Sequence, residues 1–287
     1  MADKLIDSQI VPDEGKTPPS LNWSDLRRLT PARIGLKRTG SSLTTAEILR
    51  FDAAHAQARD AVHNPLDIDC LRQELVSSGW NNMITVRSQA RDRSQYLLRP
   101  DLGRRLDLAS RQLLEEYQLK SGRADVVFIL ADGLSSSGIQ QHAPSLLFHI
   151  RQMIEREFVI APLVIATQAR VALGDEVGEV LQARMAVVII GERPGLSSPD
   201  SIGLYMTFQP RVGCVDAQRN CISNIRPQGQ QPNIAALRFA WLLREAFRLG
   251  ATGVTLKDHS GLPLISGTSA QHCLGGTASA TEAVLRS

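Results

Sequence analysis

Residues 185–225 constrain the fold of this chain more than any other segment. They open with an apolar run at 186–190, whose β-branched composition is typical of a strand buried on both faces. Gly191 ends the run, and Glu192 begins a charged, turn-rich loop. Open α/β sheets present their binding sites where a buried strand gives way to such a loop. The segment therefore predicts a binding site at one edge of a sheet, next to Glu192.

An alternation of apolar runs and helical patterns surrounds this segment. It comprises predicted strands at 125–130, 163–166 and 186–190, and predicted helices at 139–156, 174–182 and 232–249. Short links between strands and helices imply right-handed crossovers between parallel strands. The expected fold class is α/β, with an open, mostly parallel, Rossmann-like sheet and flanking helices.

A mainly helical region is predicted before the sheet. It includes helices near 44–63 and 69–77, a brief strand at 83–86 and a helix that starts at 99–101. Four parts are expected in all: a flexible arm at 1–20, the mainly helical region at 21–120, an α/β domain at 121–260 and a flexible tail at 261–287. The tail is rich in Gly, Ser and Thr, which cannot build a core, and is expected to be dispensable for assembly and turnover.

Composition narrows the class of protein. Hydrophobic residues make up 43% of the 287 residues and charged residues 21%, which is typical of a globular protein. A formal net charge of +3, with arginines spread along the chain, does not favour nucleic-acid binding. The polar N-terminus is not a secretory signal, and no stretch approaches the ~20 apolar residues of a membrane span. Four cysteines without metal-binding spacing favour a reduced, cytoplasmic protein.

The sequence contains no complete catalytic motif. Gly133 and Gly138 have the spacing of a phosphate loop, but Ile139 and Gln140 stand where that loop needs Lys and Ser or Thr. The serines at 135–137 are interpreted either as a loop and helix cap or as contacts for a polar ligand or partner. A dinucleotide fingerprint and a nucleophile elbow are also missing. The sequence alone therefore shows no self-sufficient catalytic site.

Several separated strings resemble a single protein family. They are YLLRPDLGRRL at 96–106, ADGLSSSGI at 131–139, ARVALGDEVGEVL at 169–181, GERPGL at 191–196 and NCISNI at 220–225. In this order they resemble the small, or light-chain, subunit of ethanolamine ammonia-lyase, and the similarity covers residues 21–257. No single string would identify the family, whereas the ordered set is specific.

The resemblance implies a lyase that depends on adenosylcobalamin. The family converts ethanolamine to acetaldehyde and ammonia through an adenosyl radical, which forms by homolysis of the cobalt–carbon bond. Its large subunit is a barrel that binds the substrate, and its small subunit covers the cobalamin at the interface between the two chains, in an assembly with six copies of each. A large-subunit partner, a cobalamin-covering role for residues 121–260 and no activity of the chain alone are therefore expected.

The family's small-subunit cobalamin contacts carry over to three residues of this sequence. By motif they are Val171 of ARVALGD, Glu192 of GERPGL and Cys221 of NCISNI. Glu192 is expected to accept a hydrogen bond from a corrin amide or a ribose hydroxyl, and the other two to offer van der Waals contact and backbone hydrogen bonds. Without the resemblance, Glu192 would be interpreted as a surface ion-pair residue and Cys221 as an inert buried thiol. The polar composition around Cys221 predicts a loop there.

A base-on cofactor, which keeps its own dimethylbenzimidazole, is expected. The D-x-H-x-x-G string of cobalamin proteins that ligate cobalt through a histidine is absent from this sequence. Two alternatives stay open: a non-catalytic binding or assembly module that does not hold cobalamin, and an independent Rossmann-like enzyme, which the missing fingerprints disfavour. The expected location is the cytoplasm, inside or outside a bacterial microcompartment.

Overall fold

A computed structural model describes residues 22–30 and 32–261. The predicted arm at 1–20 and the predicted tail beyond Gly261 lie outside the described residues. The chain forms two compact units, one up to Ala54 and one from His55 onwards. Among the described residues, none of the helices combines the length and hydrophobicity that crossing a bilayer requires.

The first unit begins with helix α1 (Trp23–Arg28). Asn22 caps this helix, because its side-chain oxygen accepts hydrogen bonds from the N–H groups of Ser24 and Asp25 at 2.8 and 3.1 Å. An antiparallel hairpin of β1 (Arg38–Thr39) and β2 (Ser42–Leu43) follows. Helix α2 (Thr45–His63) begins in this unit and continues into the second.

The second unit contains the other helices and strands. In chain order they are α3 (Ile68–Ser77), β3 (Met83–Arg87), α4 (Arg93–Leu98), α5 (Leu108–Gln118), β4 (Val126–Ala131), α6 (Ser136–Ile154), β5 (Leu163–Thr167), α7 (Leu173–Val180), β6 (Met185–Gly191), β7 (Ile202–Phe208), β8 (Arg219–Ile225) and α8 (Pro232–Leu249). Short 3₁₀ turns occur at Leu102–Arg104, Asp216–Gln218 and Gly253–Thr255.

Six strands of this unit form one mixed sheet, in the order β3-β5-β4-β6-β7-β8. The first four pair in parallel, and β7 and β8 add to β6 in antiparallel fashion. Every residue of β4 and β6 is buried, as expected for parallel strands that are covered on both faces. The predicted α/β class, with an open, mostly parallel sheet and flanking helices, is confirmed. The predicted brief strand is the edge strand β3.

Different helices cover the two faces of the sheet. On one face α3, α6 and α8 enclose a core in which Phe128 packs edge to face with Trp80 and Phe239, with ring centroids 5.5 and 5.8 Å apart. On the other face α5 and α7 enclose a second core, which includes Val188 and, at its margin, Tyr205. We call this second surface the α7 face.

One predicted helix boundary is wrong. No helix starts at residues 99–101, since α4 ends at Leu98 and α5 begins only at Leu108. Asp92 and Asp107 set the two starts, because each side chain accepts a hydrogen bond from an N–H of the first turn at 2.8 Å. The bounds predicted for α8 are confirmed.

Candidate functional site

The ends of β4 and β6 meet at the carboxyl edge of the parallel strands, and two glycines allow them to approach closely. A Cβ atom on Gly191 would lie 2.0 Å from the Ser135 carbonyl oxygen. Gly133 has a φ of 58°, and a Cβ atom there would lie 2.2 Å from the Gly191 oxygen. The Leu134 N–H donates to that same oxygen at 2.9 Å. The loop after β4 therefore fixes the point at which Glu192 leaves the sheet.

Asp132, directly after β4, fixes the neighbouring connection from β5 to α7. Its buried carboxylate accepts hydrogen bonds from the N–H groups of Gly133, Gln168 and Ala169 at 2.9, 2.9 and 3.1 Å. Burial raises the pKa of Asp132, and these donors act against that rise. Asp132 belongs to no known catalytic motif, although a carboxylate directly after a buried strand is a signal for a role at the sheet edge. Here it positions the segment that carries Val171.

Val171 lies in this connection, just before α7. It is half-buried and packs against the core of the α7 face, and its carbonyl oxygen accepts a hydrogen bond from the Gly174 N–H at 3.0 Å. Its neighbours Gln168 and Arg170 each have a buried side-chain atom, Oε1 and Nε respectively, without a hydrogen-bond partner among the described residues. Buried polar atoms are normally paired. The connection around Val171 therefore retains unfilled hydrogen-bonding capacity.

Glu192 follows β6 and turns onto the neighbouring strands. Its carboxylate accepts a hydrogen bond from the Asn224 N–H, with N···O distances of 3.1 and 3.3 Å. It lies against Gly203 of β7, where a Cβ atom would be 3.0 Å from Glu192 Oε1. A carboxylate offers about four acceptor positions, so one N–H donor leaves room for a ligand.

Cys221 lies in the middle of β8, opposite Tyr205 of β7. The prediction of a loop at this position is wrong, and the thiol that sequence alone would bury is exposed. Because β8 is an edge strand with several exposed positions, it tolerates polar residues, and this composition conceals the strand in the sequence. Near its end Asn224 adopts a left-handed φ of 55° beside a register shift, and its N–H reaches Glu192.

Glu192, Tyr205 and Cys221 are neighbours on the α7 face. Tyr205 and Cys221 are directly opposite each other across β7 and β8, and each influences the pKa of the other. Desolvation raises the pKa of both groups, and the negative charge of Glu192 raises each further, although Tyr205 acts in the opposite direction on the pKa of the thiol. The phenol and the thiol therefore both stay protonated at neutral pH.

Helix α7 covers only part of its face. It begins over the middle of β6, where a Cβ atom on Gly174 would lie 2.2 Å from Val188 Cγ2, and runs towards Ala186, 3.1 Å from a Cβ atom on Gly178. The helix thus runs away from the end of β6 that leads to Glu192. Beyond its first turn lie half-buried Glu192 and Tyr205 and exposed Cys221, around the buried backbone of Gly203. We call these four residues the open patch.

The structure thus brings two of the three predicted site residues, Glu192 and Cys221, together around Tyr205. Val171 lies on the same face, at the start of α7. A buried ion pair ties this helix to β8: Arg219 donates to the Asp175 carboxylate at 2.5 and 2.7 Å, and both side chains are only 3% exposed. The pair fixes α7 relative to the strand that carries Cys221.

The serines at 135–137 serve the fold. Ser135 Oγ donates to the Pro199 carbonyl oxygen at 2.8 Å and accepts from the Gly138 N–H at 3.3 Å. Ser136 Oγ donates to the Asn64 carbonyl oxygen, and both serines are buried. Of the two interpretations of this loop, the structural one is favoured, and Ser135 also holds the loop that follows Glu192.

Fold and site together define a class of protein: an α/β domain that presents a partly polar patch at the antiparallel end of its sheet, with no complete catalytic motif in its sequence. Residues 20–257 match the family model described as ethanolamine ammonia-lyase light chain (EutC). The chain belongs to this family, as its sequence strings predicted.

Individual relatives support this membership. The chain is 51% identical over 245 residues to the ethanolamine ammonia-lyase small subunit of Ralstonia nicotianae. The aligned region covers 85% of this chain and 90% of that protein. It is 51% identical over 251 residues to the small subunit of Xanthomonas campestris pv. campestris strain B100, covering 87% and 92%. It is 50% identical over 247 residues to that of Azotobacter vinelandii, covering 85% and 91%. These names describe a lyase subunit and not an independent Rossmann-like enzyme.

Proposed function

We propose that this chain is the small subunit of an ethanolamine ammonia-lyase and helps bind adenosylcobalamin at the interface with a large subunit. The complex would catalyse the radical deamination of ethanolamine to acetaldehyde and ammonia. The observation that carries the proposal is the open patch, in a chain of this family whose central strands β4 and β6 are fully buried. The small-subunit names of the relatives support a large-subunit partner.

The open patch fits a cofactor whose rim carries amide groups. Cobalamin side chains both donate and accept hydrogen bonds, and the Glu192 carboxylate has acceptor capacity beyond its bond to Asn224. Cys221 offers a polarizable, uncharged contact, and Val171 offers an apolar one. When bound, adenosylcobalamin would supply the radical chemistry, while these residues would orient it and exclude water from one side.

Further features of the proposal follow the family. The cofactor would be base-on, the assembly would contain six copies of each subunit, and the complex would work in the cytoplasm, inside or outside a microcompartment. Residues 121–260 would cover the cobalamin, behind a mainly helical region at 21–120. As in the family, the substrate site would belong to the large subunit.

Reconstitution tests this function. The chain is purified alone and in complex with its large subunit, and acetaldehyde formation from ethanolamine is measured with adenosylcobalamin. We expect activity from the complex and none from the chain alone. In the same complex, Glu192→Ala should leave a cofactor donor unpaired, at a cost of about 1–3 kcal/mol, which corresponds to roughly ten- to hundredfold weaker binding of adenosylcobalamin. The affinity for ethanolamine should change much less.

Glu245→Ala is the matched control, because Glu245 also forms hydrogen bonds and an ion pair through its carboxylate, with Arg248 of the same helix α8. The buried residues of α8 pack on the opposite face of the sheet. It should leave both affinities unchanged. Unaltered cofactor affinity of Glu192→Ala in an intact complex would reject the assignment and favour a binding or assembly module that does not hold cobalamin.

A further inference from the structure

We propose that Tyr205 is a further cobalamin contact of this chain, with its ring forming the floor of the open patch beside Cys221. The inference rests on the proposed function and extends it to a residue that belongs to none of the sequence strings. It follows from the position of Tyr205 in the sheet, from the close approach of Tyr205 and Glu192 over Gly203 and from the chemistry of the phenol.

The position of Tyr205 is set by strand register. Ile129, Val188, Tyr205 and Cys221 are successive partners across β4, β6, β7 and β8, so their side chains form one row on the α7 face. The first two are buried, Tyr205 is half-buried and Cys221 is exposed. Tyr205 therefore stands where the covered part of the face ends and the open patch begins.

The absence of a side chain at Gly203 lets Tyr205 and Glu192 come close to each other. A Cβ atom on Gly203 would lie 3.0 Å from Glu192 Oε1 and 3.1 Å from Tyr205 Cε2. The edge of the ring and the carboxylate thus both approach the position that a side chain at residue 203 would occupy, and they can do so because residue 203 is glycine. A ligand that donates a hydrogen bond to Glu192 would meet the Tyr205 ring at the same time.

The Tyr205 side chain combines a polar hydroxyl group with an apolar ring. Its hydroxyl stays protonated, since desolvation raises its pKa, and Tyr205 is the cross-strand partner of Cys221. The ring supplies apolar surface at low conformational cost. A large cofactor with methyl groups and amides along its rim requires this combination of a flat apolar floor and a charged acceptor.

Binding of hydroxocobalamin to the complex with the large subunit tests the inference without turnover. The affinity is measured by equilibrium dialysis and visible absorbance for the native complex and for Tyr205→Leu, Tyr205→Phe, Phe208→Leu and Glu192→Ala. Tyr205→Leu should bind about tenfold more weakly, whereas Tyr205→Phe, which keeps the ring, should stay within about threefold of the native complex. Phe208→Leu is the matched control, since Phe208 is half-buried on the same strand but packs with the core of the opposite face.

The set of variants separates the possible failures. Native affinity in Tyr205→Leu, together with weaker binding in Glu192→Ala, would overturn the role of Tyr205 and keep the proposed function. Native affinity in both variants, or no binding by the native complex, would overturn the proposed function itself. If Tyr205→Leu does not assemble, Tyr205→Met replaces it, since it keeps apolar volume without a ring, and the same tenfold loss is expected.

Discussion

The parallel and antiparallel ends of the sheet differ in how completely their residues are buried. In the parallel part, β4 and β6 are buried along their whole length between two layers of helices. At the antiparallel end, β8 buries Arg219, Ile222 and Ile225 and leaves Cys221 exposed. The apolar residues are therefore concentrated in the parallel strands, which form a rigid scaffold. One face of the antiparallel end stays accessible for binding.

Helix α7 connects the two ends through adjacent acidic residues. Asp175 pairs with Arg219 of β8, at the antiparallel end. Glu176 accepts hydrogen bonds from the Arg105 side chain, at 2.9 and 3.2 Å, and from the Leu106 N–H at 2.9 Å, at the covered end. Because the helix is tied in both directions, its first turn is a fixed border of the open patch.

The largest effect on stability is expected from breaking the buried ion pair between Arg219 of β8 and Asp175 of α7. Arg219→Met leaves the Asp175 carboxylate buried without its partner, which should lower the free energy of unfolding by about 3–5 kcal/mol. Equilibrium urea unfolding of the purified chain measures this change. Arg244→Met is the control, because Arg244 and Glu157 form an exposed pair, 46% exposed on each side, and its loss should cost less than about 1 kcal/mol. Equal, small losses in both variants would show that the buried pair does not fix α7.

A smaller effect on stability is expected at Gly191, where the end of β6 meets the loop after β4. Gly191→Ala places a Cβ atom 2.0 Å from the Ser135 carbonyl oxygen and 2.6 Å from that of Asp132, so backbone must shift. We expect a loss of about 2–3 kcal/mol in the free energy of unfolding, together with a displaced Glu192. Gly122→Ala is the control, since a Cβ atom there has no heavy atom within 4 Å, and it should change stability by less than about 0.5 kcal/mol. Native stability of Gly191→Ala would mean that the loop after β4 adapts at little cost.

The difference in burial between the two ends of the sheet also explains which strands could be predicted from the sequence. Strands β4, β5 and β6 were predictable because burial on both faces requires continuous apolar runs. Strand β8 was not, since a strand with one exposed face carries residues such as Cys221 and Asn224 that also suit loops. Glu192 could be placed after its strand, but its contact with Asn224 depends on register across three strands. Tyr205 was missed for the same reason, because no local pattern shows which residues become neighbours in a sheet.

The smallest effect, and the one that depends on pH, is expected at the covered end. Burial alone would raise the pKa of Glu176, but the hydrogen bonds from Arg105 and the Leu106 N–H and the charges of Arg105 and Arg111 lower it overall. The ionised carboxylate is therefore the form that stabilises the fold. Glu176→Gln should lose about 1.5–3 kcal/mol at neutral pH, measured by urea unfolding.

The sign of the pH dependence follows from that lowered pKa. A glutamate in the unfolded chain titrates near pH ~4.3, above the pKa of Glu176 in the folded chain, so its stabilisation is complete above that value and is lost as the pH falls through the folded pKa. The stability difference between the native chain and Glu176→Gln should thus stay constant from about pH 7 to about pH 5 and narrow below about pH 4. A difference that persists unchanged in acid would show that shape, and not charge, holds α7 at the covered end. Binding of hydroxocobalamin by the complex at neutral pH should weaken less in Glu176→Gln than in Arg219→Met, because Glu176 lies on the side of α7 away from the open patch.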